Sequence, residues 1–237
     1  MRRMRIVGLC LTAAVVIGVL TSAAASAEPE FLTKAVVAEG ASIPLTGTVG
    51  PSSWESKSGS RITCTAGTIT GEVTGPKSLA NTVLLLKTCE TSGCLVESAG
   101  KPEGTVETEA LAGKLGGISS TLPGIKLFSQ SEGKGGIVIE AETACAIPLK
   151  WKGEVTGSLS GSAGEGPETG KLLSSIKLTL VQSKGVQKYQ GFSEGLESGL
   201  LGQLESSFGG KPYEPDGWAI APTLKTIPST WELGITK

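Results

Sequence analysis

The chain has 237 residues, with 21 Lys and Arg against 22 Asp and Glu, 34 glycines and no histidine. The missing histidine removes the usual general base and the commonest transition-metal ligand, and with Asp216 the only aspartate no EF-hand-like calcium loop can be written. The chain is also poor in arginine, so it lacks the clustered cations that phosphates demand, and nucleic acid is excluded as a partner.

The N-terminus carries the first signal. Met1-Arg2-Arg3-Met4-Arg5 is a basic segment, the apolar run Ile6–Leu20 follows, and small residues lead to Ala25-Ser26-Ala27. This order reads as a secretory signal peptide over 1–27, with cleavage expected after Ala27. The apolar run falls short of the roughly 20 residues that span a bilayer. Cys10 lies inside that run, too early for lipid modification. No second long apolar segment exists, so the expected product, 28–237, is a single exported domain with no transmembrane segment, secreted or held at the cell surface. Losing Arg2, Arg3 and Arg5 leaves 18 cationic side chains against 22 acidic ones, a net charge of −4, with Arg61 the only arginine.

Strand signals then recur along the chain. Candidates are 43–48, 61–73, 80–89, 105–112 and 123–129. Between 137 and 151 the residues Ile137, Ile139, Ala141, Thr143, Cys145, Ile147, Leu149 and Trp151 share one face of an alternating pattern, with a break expected at Pro148. Gly161–Gly170 is read as a loop. Ile176, Leu178 and Leu180 alternate with polar neighbours, and Trp231, Leu233 and Ile235 give a closing strand. Leu196, Leu200, Leu204 and Phe208, four apart, predict one short helix despite Gly195, Gly199 and Gly202. Short strands punctuated by Gly and Pro predict an all-β, mostly antiparallel sandwich or barrel. The pentapeptide Gly-Glu-Val-Thr-Gly occurs at 71–75 and again at 153–157, as a duplicated half-domain or chance would both produce.

The cysteines beyond the signal are Cys64, Cys89, Cys94 and Cys145. An even number in an exported chain predicts two disulfides, with three possible pairings. A hairpin turning at Gly75-Pro76-Lys77-Ser78, with Val73 opposite Ala80, sets Cys64 against Cys89 and favours Cys94–Cys145 as the second bridge. A tight Cys89–Cys94 loop with Cys64–Cys145 stays open.

The strings Glu30-Phe31-Leu32, Arg61-Ile62-Thr63-Cys64-Thr65, Gly71-Glu72-Val73-Thr74-Gly75-Pro76-Lys77 and Lys184-Gly185-Val186-Gln187 stand in this order in the chain. In this it resembles a family of exported, β-rich bacterial proteins of uncharacterised function that occur in many paralogous copies. The resemblance spans most of 29–237 and implies one domain, with no known activity and no functional residue to carry over.

The chain also contains short matches to catalytic patterns. Gly191-Phe192-Ser193-Glu194-Gly195 matches a nucleophile elbow, but the elbow needs a general base that this histidine-free chain does not supply. Ser193 is better read as a cap on the following segment. Ser131/Lys134 and Ser174/Lys177 match S-x-x-K without the partner motifs of that chemistry. Glu107 with Glu109, and Glu140 with Glu142, are the carboxylate pairs a glycan-cleaving enzyme would need. Solvated strand positions are the commoner explanation. Asp216-Gly217 reads as a turn. Trp151 and Trp231 alternate with apolar neighbours and read as core. Trp54 and Trp218 have polar or turn surroundings and are candidate stacking platforms for sugars, although burial is the usual fate of tryptophan, expected here for at least one of them. No catalytic, cofactor-binding or metal-ligating residue is therefore assigned, and no cofactor. The expectation is a non-enzymatic exported β-domain with a binding or structural role, with cell-envelope or extracellular polysaccharide as a candidate partner. A glycan-directed enzyme using paired glutamates is the alternative.

Overall fold

Alternating apolar residues separated by turn formers make short strands, and the computed structural model is all-β. It describes residues 28–33, 36–131, 136–161, 172–193, 202–227 and 233–235, and none of the described residues is helical. In chain order the first strands are β1 (Phe31–Leu32), β2 (Ile43–Val49), β3 (Ser52–Ser56), β4 (Arg61–Cys64), β5 (Ala66–Gly75), β6 (Ser78–Lys87) and β7 (Glu90–Thr91). There follow β8 (Cys94–Glu97), β9 (Thr105–Glu107), β10 (Leu111–Ser119), β11 (Leu122–Ser129), β12 (Ile137–Thr143), β13 (Pro148–Gly161) and β14 (Leu172–Leu173). The last are β15 (Ile176–Thr179), β16 (Gln182–Ser183), β17 (Val186–Gln187), β18 (Leu204–Phe208), β19 (Glu214–Ala219), β20 (Thr223–Thr226) and β21 (Leu233–Ile235).

Eight strands close an antiparallel barrel in the order β11-β10-β6-β5-β2-β20-β15-β13, and β13 returns to β11 through Gly124↔Ser158 to Phe128↔Glu154. Closure leaves no free edge within the ring. The interior is packed: Leu45, Ile69, Leu79, Leu127, Leu178 and Leu224 surround a void of about 10 Å³, too small for an organic ligand. Gly113 packs closely there: a Cβ would stand 3.0 Å from the Leu79 Cβ and 3.2 Å from Leu127, so those side chains would have to shift by a few tenths of an ångström.

The 14-residue β13 serves a second ring. Its later half pairs with β11 and β15, whereas Pro148–Gly153 pairs with β12 and β18. From there the pairing runs β12-β8-β7-β4-β3-β19-β18 and back to β13. The change of partners falls at Gly153, whose φ is +104° and where a Cβ would meet the Gln203 carbonyl oxygen at 2.0 Å. Only glycine fits that bend. Gly71, the first residue of the other pentapeptide copy, has no such φ, so the two copies differ in backbone at their first residue.

Several expectations are corrected. Leu204 and Phe208 belong to strand β18, not a helix; residues four apart share a face in a strand as well as in a helix. Leu196 and Leu200 lie outside the described residues, as do Trp231, Lys134 and most of the 161–170 loop. The chain turns at 144–147, so Cys145 and Ile147 leave the alternating face, and Pro148 opens β13 where its missing N–H does no harm. Asp216 is no turn residue: it lies within β19 and is 1% exposed.

The 66–87 hairpin forms as expected but one residue out of register near its turn, with Val73 opposite Leu79. A bulge between Thr70 and Glu72 shifts the pairing, so Ala66 faces Lys87. That register sets Cys64 beside Cys89, Cα atoms 4.0 Å apart, and the bridges are Cys64–Cys89 and Cys94–Cys145.

Candidate functional site

Four β-hairpins converge at one end of the second ring: β3–β4, β7–β8, β12–β13 and β18–β19. Each tip uses left-handed backbone, at Gly59, Gly93, Ala146 and Gly209–Gly210. Between the tips lies a cleft of about 660 Å³ to which all four contribute, through Arg61, Glu90, Ile147 and Lys211 among others. Leu149 and Phe208 give it an apolar wall, and the ring is thinnest beside it, where β4 and β7 share the single pair Thr63↔Glu90.

Hydrogen bonds hold the tips in place. Thr91 Oγ1 donates to the Arg61 carbonyl at 2.7 Å, and Ser58 Oγ to Glu214 Oε1 at 2.5 Å, linking the first hairpin to the second and fourth. The Glu214 carboxyl lies below its usual range because of that Ser58 bond. Ser207 Oγ donates to the Lys211 carbonyl at 2.6 Å, and the Ile147 N–H to Thr143 Oγ1 at 3.1 Å. The Cys94–Cys145 bridge ties the second tip to the third. A cleft set in this way loses little freedom on binding.

Behind the wall the ring is filled by aromatic side chains. Phe208 meets Trp151 edge-on at 5.8 Å, Trp151 lies 5.6 Å from Trp54, and Trp54 stacks on Trp218 at 5.2 Å. All three indoles are at most 1% exposed. Trp54 and Trp218 are thus core, and neither is a stacking platform; their polar neighbours Ser52, Ser53, Ser56 and Asp216 are buried along with them. Asp216 reaches into this cluster and accepts the Trp151 indole N–H at 3.0 Å. Burial raises its pKa from 3.8 to about 6 against the lowering effect of the donors around it.

The carboxylate pairs Glu107/Glu109 and Glu140/Glu142 each have one ion-paired and one exposed member. Glu107 pairs with Lys101 at 2.7 Å and Glu140 with Lys150 at 2.5 Å, while Glu109 and Glu142 are exposed. Burial of Lys126 and Glu154, 3.5 Å apart, is a structural pairing on the barrel wall. Ser193 Oγ donates to the Ile118 carbonyl at 2.5 Å, and Ser174 is exposed just ahead of β15. The described residues hold no cluster of three or more metal-ligating side chains, and no helix among them is long and apolar enough to cross a membrane.

The cleft itself was not anticipated from the sequence. Its residues lie far apart in the chain, and the available hint was Arg61, the sole arginine after residue 27, together with turn formers such as Ser58-Gly59 and Gly209-Gly210. Fold and site together define an all-β, disulfide-bridged protein in which an eight-stranded barrel carries a second strand ring with a cleft at its hairpin end. Compared with protein-family models, curated proteins and solved structures, the chain matches none of them.

Proposed function

We propose that this is an exported, non-enzymatic binding protein whose ligand site is the four-hairpin cleft. The observation that carries the reading is a pre-set concavity of about 660 Å³, within the range of small-ligand sites, whereas the void among Leu45, Ile69, Leu79, Leu127, Leu178 and Leu224 of the barrel is about 10 Å³. Among the described residues Glu90 is the one carboxylate that lines it, which favours binding over the two-carboxylate arrangement of a glycosidase. The signal-like N-terminus and two disulfides support export, since such bridges persist in oxidising compartments.

The exported protein, screened against a polysaccharide panel by calorimetry and by product analysis, should bind without turnover. Turnover abolished by a single Glu→Gln change would overturn the reading in favour of the glycan-directed enzyme. N-terminal sequencing of the exported product should begin at Glu28; a retained Arg2–Leu20 segment would mean an anchored protein.

A further inference from the structure

The charge of the cleft departs from that of the chain around it. Residues 28–237 carry a net −4 and one arginine, and that arginine, Arg61, opens into the cleft together with Lys211; Glu90 is the opposing charge. Arg61, exposed at the start of β4, makes no ion pair among the described residues; Glu55, its partner across β3–β4, accepts from Gln182 Nε2 at 3.1 Å instead. A cation kept out of ion pairs within the protein is available to an anion from outside. The guanidinium fork matches a planar carboxylate with two parallel hydrogen bonds.

The remaining lining suits a saccharide. Ser60, Thr63 and Ser92 present hydroxyls, while Ile147 and Phe208 supply apolar surface for the C–H face of a sugar ring. Ile147 is 42% exposed, a large apolar side chain left in solvent at the cleft. Arg61 and Thr63 also border a second depression of about 480 Å³, lined further by Pro51, Ser53, Thr65 and Leu180. The two depressions share Arg61 and Thr63, so one cation serves both.

We infer that the ligand is an acidic, carboxylate-bearing saccharide chain bound across Arg61 and Lys211. The inference rests on the cleft being the binding site, and the test separates the two. Short oligogalacturonates are titrated calorimetrically into the exported protein, alongside the same oligomers methyl-esterified, a glycerol-phosphate polymer and a Glu-rich peptide. The acidic sugars should bind, and esterification should weaken them about tenfold or more, the loss of one charge-assisted bidentate contact. R61Q should cost a similar factor for the acidic sugars and little for the esterified ones. Its melting temperature should stay unchanged, because Arg61 is exposed. I147E, which adds a negative charge at an exposed cleft position, should weaken acidic sugars further. Equal binding of acidic and esterified oligomers, both weakened by I147E, would overturn the charge inference and leave the cleft standing. Binding insensitive to both variants would overturn the cleft as well. Preference for the phosphate polymer or the peptide, or no saccharide binding, would overturn the inference.

Discussion

Asp216→Asn tests the buried acid at the centre of the tryptophan cluster. The carboxyl is raised from 3.8 to about 6 by burial, so the folded state holds a proton that the unfolded chain releases. Its contribution to stability is fully present below about pH 4 and is lost as pH rises through about 6. At about 1.4 kcal/mol per pH unit the loss is ~3 kcal/mol, an order-of-magnitude figure. Asparagine is close in shape and its amide oxygen still accepts the Trp151 N–H, which stands 3.0 Å from Asp216 Oδ2, but it has no charge to bury. The variant should therefore match the parent at about pH 4 and exceed it increasingly towards about pH 7.5. For a domain of this size the gap corresponds to roughly 6–12 °C in melting temperature. Urea melts of both proteins across that range, followed by tryptophan fluorescence with disulfides intact, measure it. Taking the difference between the two proteins cancels every other titration. Parallel stability curves would refute the reasoning and mean that the carboxyl is solvated.

Trp54→Ala should cost about 3–5 kcal/mol by opening a cavity between Trp151 and Trp218, measured by the same melts; an unchanged melting temperature would return Trp54 to the surface. Gly153→Ala should be severely destabilising, because the new Cβ has only 2.0 Å to the Gln203 oxygen at a φ of +104°; yield of folded protein and its melting temperature check this. If the product starts at Glu28, so that Cys10 is lost, the denatured, unreduced protein should show no free thiol. Each bridge should contribute roughly 2–4 kcal/mol. Cys94–Cys145, which closes 51 residues against 25, should contribute more by about 0.6 kcal/mol in the chain-entropy account.

The sequence by itself determined the class of fold and much of its strand content. Alternation is a local property, so Ile43–Val49, Leu122–Ser129 and Ile176–Thr179 are legible wherever one face is buried. The inventory did the same for chemistry: with no histidine and one aspartate, the usual catalytic and metal chemistries lacked their residues. The Cys64–Cys89 pairing is favoured because a hairpin is a short-range object, yet it depends on a bulge between Thr70 and Glu72, where Gly71 is the residue type that marks one. Spacing misled where two periods coincide, as at Leu204 and Phe208. Only tertiary structure decided the rest. Trp54 and Trp218 lie 164 positions apart in the chain and pair across neighbouring strands, and Asp216, turn-like in sequence, is buried because β18 and β3 flank its strand. The cleft is likewise made by closure. Turn formers mark two of its four hairpins, at Ser58-Gly59 and Gly209-Gly210, whereas 144–147 reads as continuing strand, and nothing local specifies that β13 bends at Gly153, joins two rings, and brings those tips to one end.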